Sequence, residues 1–258
     1  MNQAVGAESY LDQTVDQTGA LATGPARLVA ILGMHRSGTS CLTGSLQGAG
    51  LFLGECHTWN PYNRKGNREN QAFVDFHDAV LRDNQGSWDN PPARPVWSEA
   101  HQAAARALLA AHADAGVLGF KDPRALLLID GWRAVYPRLE VVGIFRHPEA
   151  VARSLHHRSE MPREQALALW YHYNRALLAQ YRRYRFPILC FDRESAAFQQ
   201  DATALAEWLR LPDQPKASDF YEASLKQFSE EQRASLPWRV KWLYWQLQRA
   251  SGKGVSKC

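Results

Sequence analysis

Residues 33–40 read Gly-Met-His-Arg-Ser-Gly-Thr-Ser, directly after the apolar run Leu-Val-Ala-Ile-Leu at 28–32 and just before a helix-periodic segment. A strand, a tight loop and a helix start in that order gather backbone N–H groups that have no intrahelical partner. The helix dipole adds partial positive charge at the same spot, so a phosphate suits it as ligand. The pattern Gly33-x-x-x-x-Gly38-Thr39-Ser40 differs by one residue from the nucleoside-triphosphate loop, which requires Lys where Thr39 stands. Without that Lys no cation spans β- and γ-phosphates, while Arg36 sets a permanent charge beside whichever phosphate binds. A tight turn alone would need Gly38 but not Arg36, Ser37, Thr39 and Ser40 around it. The loop reads as a cradle for a different nucleotide.

Other charged residues follow apolar runs in the same way. Lys121, Asp122 and Arg124 come after the run 117–120, and Arg146 after 141–145, with Pro148 suited to the first position of a helix over 149–157 that carries Ser154. A fourth apolar run covers 188–191. Periodicity predicts helices over 42–53, 69–82, 98–115 and 164–184, and irregular chain over 55–66 and 84–95. Strands separated by helices of this length imply right-handed crossovers and a mainly parallel sheet. Ligands of such α/β sheets sit beyond the carboxyl ends of the strands, where these charged residues would converge.

The chain of 258 residues, 45% hydrophobic and 22% charged, fits one globular domain. Its 4 cysteines have no zinc or disulfide spacing, which fits a reducing compartment and a cytoplasmic protein. Residues 1–27 lack a basic n-region and an apolar core and read as a flexible leader rather than a secretory signal. The net charge of +4 is uneven: residues 236–258 form a basic aromatic segment without an acid, suited to peripheral membrane contact or to packing on its own domain. Trp170, Tyr171, Tyr173, Leu177, Leu178 and Tyr181 recur at helical spacing and read as core and cleft wall. Nothing resembles a nucleic-acid module.

Three elements in this order, Gly33 to Ser40, Phe120-Lys-Asp-Pro-Arg124 and Phe145-Arg-His-Pro with Ser154 beyond it, resemble the sulfotransferases that use 3′-phosphoadenosine 5′-phosphosulfate (PAPS). They are most similar to the bacterial branch related to carbohydrate and protein-tyrosine sulfotransferases. The resemblance covers residues 28–159 and extends to the strand and helix before Leu211, giving a sulfotransferase domain over 28–235. It implies a P-loop-like three-layer αβα fold. It also implies that Arg36, Ser37, Gly38, Thr39 and Ser40 hold the 5′-phosphosulfate, that Arg146 and Ser154 hold the 3′-phosphate, and that Arg36 and Lys121 stabilise the transferring group, with no metal. Arg153 is either a helper there or a residue of a solvated helix face. Glu69 is the preferred base, although Asn67 and Arg68 replace an aromatic pair of that branch; Glu55, His57 and Asp122 are the alternatives. Asp122 and Arg124 could also pair with each other. A glycan or glycolipid is the expected acceptor and peptide tyrosine the second. The rival readings are a P-loop kinase or NTPase, which would want Lys at position 39 and a magnesium-holding Asp, and a scaffold without catalysis.

Overall fold

The computed structural model describes residues 24–57, 66–213 and 235–252. Among the described residues the sheet has four strands, β1 (Leu28–Leu32), β2 (Leu118–Lys121), β3 (Glu140–Phe145) and β4 (Ile188–Cys190), in the order β2-β1-β3-β4. Every neighbouring pair is parallel, with Val29 opposite Gly119 on one side and Glu140 on the other. The chain leaves β1 to one side to form β2 and then crosses to the other side to form β3. That reversal opens a crevice at the carboxyl end of β1.

Side-chain alternation along β1 explains the layers. Leu28, Ala30 and Leu32 face one core and Val29 and Ile31 the other. The first core is closed by α2 (Gln71–Asp83), α3 (Glu99–Ala110), α4 (Ala125–Val135), α5 (Pro148–Ser159), α6 (Arg163–Tyr184) and α8 (Trp238–Ser251). The second is closed by α1 (Thr39–Gly48) and α7 (Ser195–Trp208). The result is a P-loop-like three-layer α/β architecture. Both faces of the sheet are covered, so its strands are continuous apolar runs rather than alternating ones.

Several element boundaries differ from those that periodicity predicts. The helix expected over 42–53 ends at Gly48, because Gly50 takes φ 98° and reverses the chain. Beyond it Phe52 bridges Leu118 in parallel, while Leu51 and Leu53 fill the α1/α7 core. The helix expected from Glu69 begins at Gln71, since the Asn70 side chain accepts from the Ala72 N–H and acts as its cap. Glu69 therefore stands outside the helix rather than in its first turn. The helix expected over 98–115 stops at Ala110. Periodicity predicts no helix between β2 and β3, yet α4 forms there with Gly131 inside it. Trp97 explains that glycine, for a Cβ there would lie 2.1 Å from the indole.

The domain begins slightly before β1. The Tyr136 hydroxyl donates to the carbonyls of Pro25 and Ala26, each at 3.1 Å, and Arg27 forms a forked contact with Glu140 at 2.8 and 2.9 Å. These three residues, grouped with the leader by composition, are thus held against the domain; residues 1–23 lie outside the described residues. At the other end α8 packs on α6 and β4. Trp170, Tyr173, Leu177, Leu178 and Tyr181 are core residues. No helix among the described residues is long and apolar enough to cross a membrane.

Candidate active site

The loop after β1 owes its shape to two glycines. A Cβ on Gly33 would meet the Ile144 carbonyl oxygen at 2.6 Å, so this residue lets the loop pass close over β3. Gly38 has φ 87° and lies against the Phe191 ring, 2.2 Å from where a Cβ would stand. Arg36, a non-glycine residue, also takes a left-handed φ of 64°, the kind of backbone strain that folds retain at functional positions. The turn closes with the Ser37 N–H donating to the Met34 carbonyl at 3.2 Å. The first turn of α1 then carries no acid and no side-chain cap, which leaves its N–H groups and dipole available to an anion. The Ser37 hydroxyl is buried without a hydrogen-bond partner, as expected of a donor awaiting a ligand. Gly38→Ala combines left-handed strain with overlap and is expected to destabilise the fold by about 2–5 kcal/mol; an unchanged urea midpoint would contradict this account of the loop.

Beyond the strand ends the named side chains separate into two groups joined by residues 37–39. In the first, Lys121 at the end of β2 donates to Glu69 Oε1 at 2.7 Å and lies 3.3 Å from Ser40 Oγ. Ser40 in turn donates to the Asn67 carbonyl at 3.0 Å. The Lys121 side chain is only 2% exposed and that of Glu69 14%, so this ion pair is shielded from water. In the second group, Arg36 Nε donates to Ser154 Oγ at 2.7 Å, and Arg146 reaches the Arg36 carbonyl at 3.4 Å. Burial, then the charges of Arg158 and Arg146, push the Arg36 guanidinium down to about 10, still charged at neutral pH. Cations crowded this closely favour a multiply charged anion. Arg36 thus lies beside Ser154 and Arg146, the pair that the resemblance assigns to the other end of the donor. Glu55 and His57 are exposed, with no side-chain hydrogen bond among the described residues.

Asp122 is not available as a base. Its fully buried carboxylate accepts from His77 Nδ1 at 2.8 Å and from both the backbone N–H and the guanidinium of Arg124. Trp132 Nε1, which can only donate, bonds His77 Nε2 at 2.8 Å. The His77 proton therefore sits on Nδ1 and points at Asp122. Burial alone would push the Asp122 carboxyl up, but the His77 hydrogen bond and the Arg124 charge outweigh it and hold it well below the usual carboxylate range. Asp122 and Arg124 do pair, and Arg124 also reaches Asp78 at 2.5 Å. A carboxyl depressed by folding stabilises the native state above its unfolded value near ~4, and the contribution is lost as pH falls through the folded value. Asp122→Asn, which faces a donor toward His77, is expected to cost about 3–5 kcal/mol at neutral pH. The gap in urea midpoint should narrow below about pH 4; a gap that widens there would reverse the assignment.

Four further residues complete the crevice. Asp192, just after β4, sits 3.5 Å from Arg146 and accepts from the His147 N–H at 2.5 Å, tying the ends of β3 and β4 together. Its signal in the sequence is an acid directly after the apolar run 188–191. Arg158 lies one helical turn beyond Ser154, so it shares that helix face. His35, inside the loop, meets the Trp88 ring at 4.5 Å with the two planes tilted by 54°, and its Nε2 is buried without a partner. Burial, then the Arg124 charge, drives the His35 imidazole well below its ordinary value and keeps it neutral. Trp88 comes from the irregular segment after α2, and its carbonyl accepts from the buried Tyr173 hydroxyl at 2.8 Å. Among the described residues no group of three His, Cys, Asp or Glu side chains could hold a metal ion.

Comparison with known proteins agrees with this architecture. The chain superposes on the "Sulfotransferase Domain from the Synechococcus PCC 7002 Olefin Synthase" with a TM-score of 0.56, 18% identity, and coverage of 88% of this chain and 96% of that one. At that identity the likeness speaks for the fold. No curated protein matches the chain. A sequence profile described as "Sulfotransferase family" matches residues 29–215, a span that includes the loop, Lys121, Glu69, Arg146 and Ser154. The chain belongs to the sulfotransferase family.

Proposed function

We propose that this protein transfers a sulfuryl group from PAPS to an acceptor hydroxyl. The observation that carries the reading is the meeting, in one crevice, of a glycine loop opening a helix, a buried Lys121–Glu69 pair and the Arg36–Ser154–Arg146 cluster. The orphaned Ser37 hydroxyl and the crowded guanidiniums fit a donor with two anionic ends. Loop N–H groups 37–40 with Ser37 and Ser40 would hold the phosphosulfate, and Arg146, Ser154 and Arg158 the 3′-phosphate. PAPS supplies an activated sulfuryl group when bound. Glu69 Oε1 accepts the proton of the acceptor hydroxyl, and Lys121 Nζ neutralises charge on the sulfuryl oxygens. Arg36, at the junction of the two groups, answers charge on the bridging oxygen. No metal is required for these roles.

The acceptor we favour is a hydroxyl of a glycan or glycolipid. The half-buried Trp88 ring, beside the loop residue His35, offers an indole face of the kind sugar rings stack on. Peptide tyrosine is the alternative, and a panel of labelled acceptors decides between them. A cytoplasmic setting is supported by the wide spacing of the 4 cysteines, which fits neither a disulfide framework nor a zinc site.

The donor reading has a direct test. The by-product 3′-phosphoadenosine 5′-phosphate, without magnesium, should stabilise the fold by about 2.7 kcal/mol at a hundred times its dissociation constant, and ATP with magnesium far less. A kinase predicts the reverse order, and a scaffold responds to neither. Arg146→Ala should weaken that binding about 10- to 100-fold, the loss of a charge-assisted contact to phosphate; titration calorimetry that returns the parental affinity would remove Arg146 from the site.

A further inference from the structure

On α8 the covered and uncovered positions fall on opposite sides. Val240, Leu243, Leu247 and Ala250 are buried against the domain. At about 100° per residue the opposite arc carries Trp238, Trp242 and Trp245, and these are 73%, 50% and 46% exposed. Arg249 falls on the same arc, with Arg239 and Lys241 flanking it, and α8 has no acid. The guanidiniums of Arg239 and Arg249 lie 5.3 and 4.7 Å from the rings of Trp238 and Trp245. Arg182 of α6 donates to Gln246 at 3.2 Å and adds another cation beside the helix.

Neither the site chemistry nor the core explains this face, and a monomer seldom shows water a contiguous apolar strip. Indoles settle where apolar and wet phases meet, and guanidiniums pair with phosphate while keeping a ring contact. We propose that α8 docks flat on an anionic lipid bilayer, its three tryptophans at the headgroup level and Arg239, Lys241 and Arg249 on the lipid phosphates. Charge favours this occupant over a second copy of the chain, because a two-fold contact through the same face would set these cations against themselves. Tyr244, on the flank of α8, meets the His147 ring at 4.9 Å. The docking helix therefore borders the end of β3, next to Arg146.

The test uses the full chain with vesicles of phosphatidylcholine alone or mixed with phosphatidylglycerol, read by co-flotation and by quenching of tryptophan fluorescence with brominated lipid. Binding should require the anionic lipid and weaken with added salt. W238A/W242A/W245A should lower partitioning at least about tenfold, and R239E/K241E/R249E by about fivefold or more for each charge. Both variants change exposed positions and should keep the parental melting temperature. Absence of vesicle binding, or equal binding by the tryptophan variant, overturns the proposal. Self-association of the parent that the tryptophan variant abolishes would assign the face to a second copy instead. A lower melting temperature of that variant together with no vesicle binding would assign it to a segment of this chain.

Discussion

Glu69→Gln is expected to lower turnover by about 10²–10⁴-fold, the usual contribution of a positioned base, and to leave binding of 3′-phosphoadenosine 5′-phosphate unchanged. Gln keeps the shape of the side chain and an oxygen for Lys121 at the same place, but it cannot accept the acceptor's proton. Alanine would be a poorer probe. It would leave the Lys121 ammonium, whose side chain is 2% exposed, without its partner, and breaking a buried pair that way costs about 3–5 kcal/mol of stability. Steady-state kinetics paired with calorimetry reads both halves of the expectation. Parental turnover would transfer the base to Glu55 or His57, the exposed residues on the segment before Glu69.

Lys121→Met should reduce turnover by about 10²–10³-fold, the size of effect seen when one preorganised donor to a developing negative charge is removed. Met retains the length and apolar stem, so the loss reports the charge. Because Lys121 and Glu69 are in direct contact at 2.7 Å, the combination E69Q/K121M should be only slightly slower than the worse single variant. Fully multiplicative losses would mean that the two side chains act on separate steps, contrary to a shared role around one hydroxyl and one sulfuryl group.

Local patterning made the strand–loop–helix opening unit, the Pro148 helix start and the four strands legible from the residues alone. Each depends on a short stretch: an apolar run, a glycine pair, a proline whose fixed φ suits a first helical turn. The end of α1 and the start of α2 depart from the periodicity for equally local reasons, the left-handed Gly50 and the capping Asn70. The contacts that build the crevice were of another kind. Arg36 and Ser154 are 118 positions apart and Lys121 and Glu69 are 52 apart, so only the crossover order brings them together. Side-chain direction also escapes spacing. Arg36 turns toward Ser154, and Asp122 turns inward to His77, whose other ring nitrogen accepts from the Trp132 indole. The neutral His35 and the Asp192 clasp depend on burial and partners that no motif displays.

The mutual neutralisation of Lys121 and Glu69 also sets a timetable. With Glu69 in its proposed role as base, a hydroxyl reaching the crevice first would meet a carboxylate engaged by Lys121, and the anionic end of the donor would draw the ammonium away. Initial velocities should therefore follow a compulsory sequence with the nucleotide leading and leaving last, and acceptor alone should form an idle complex.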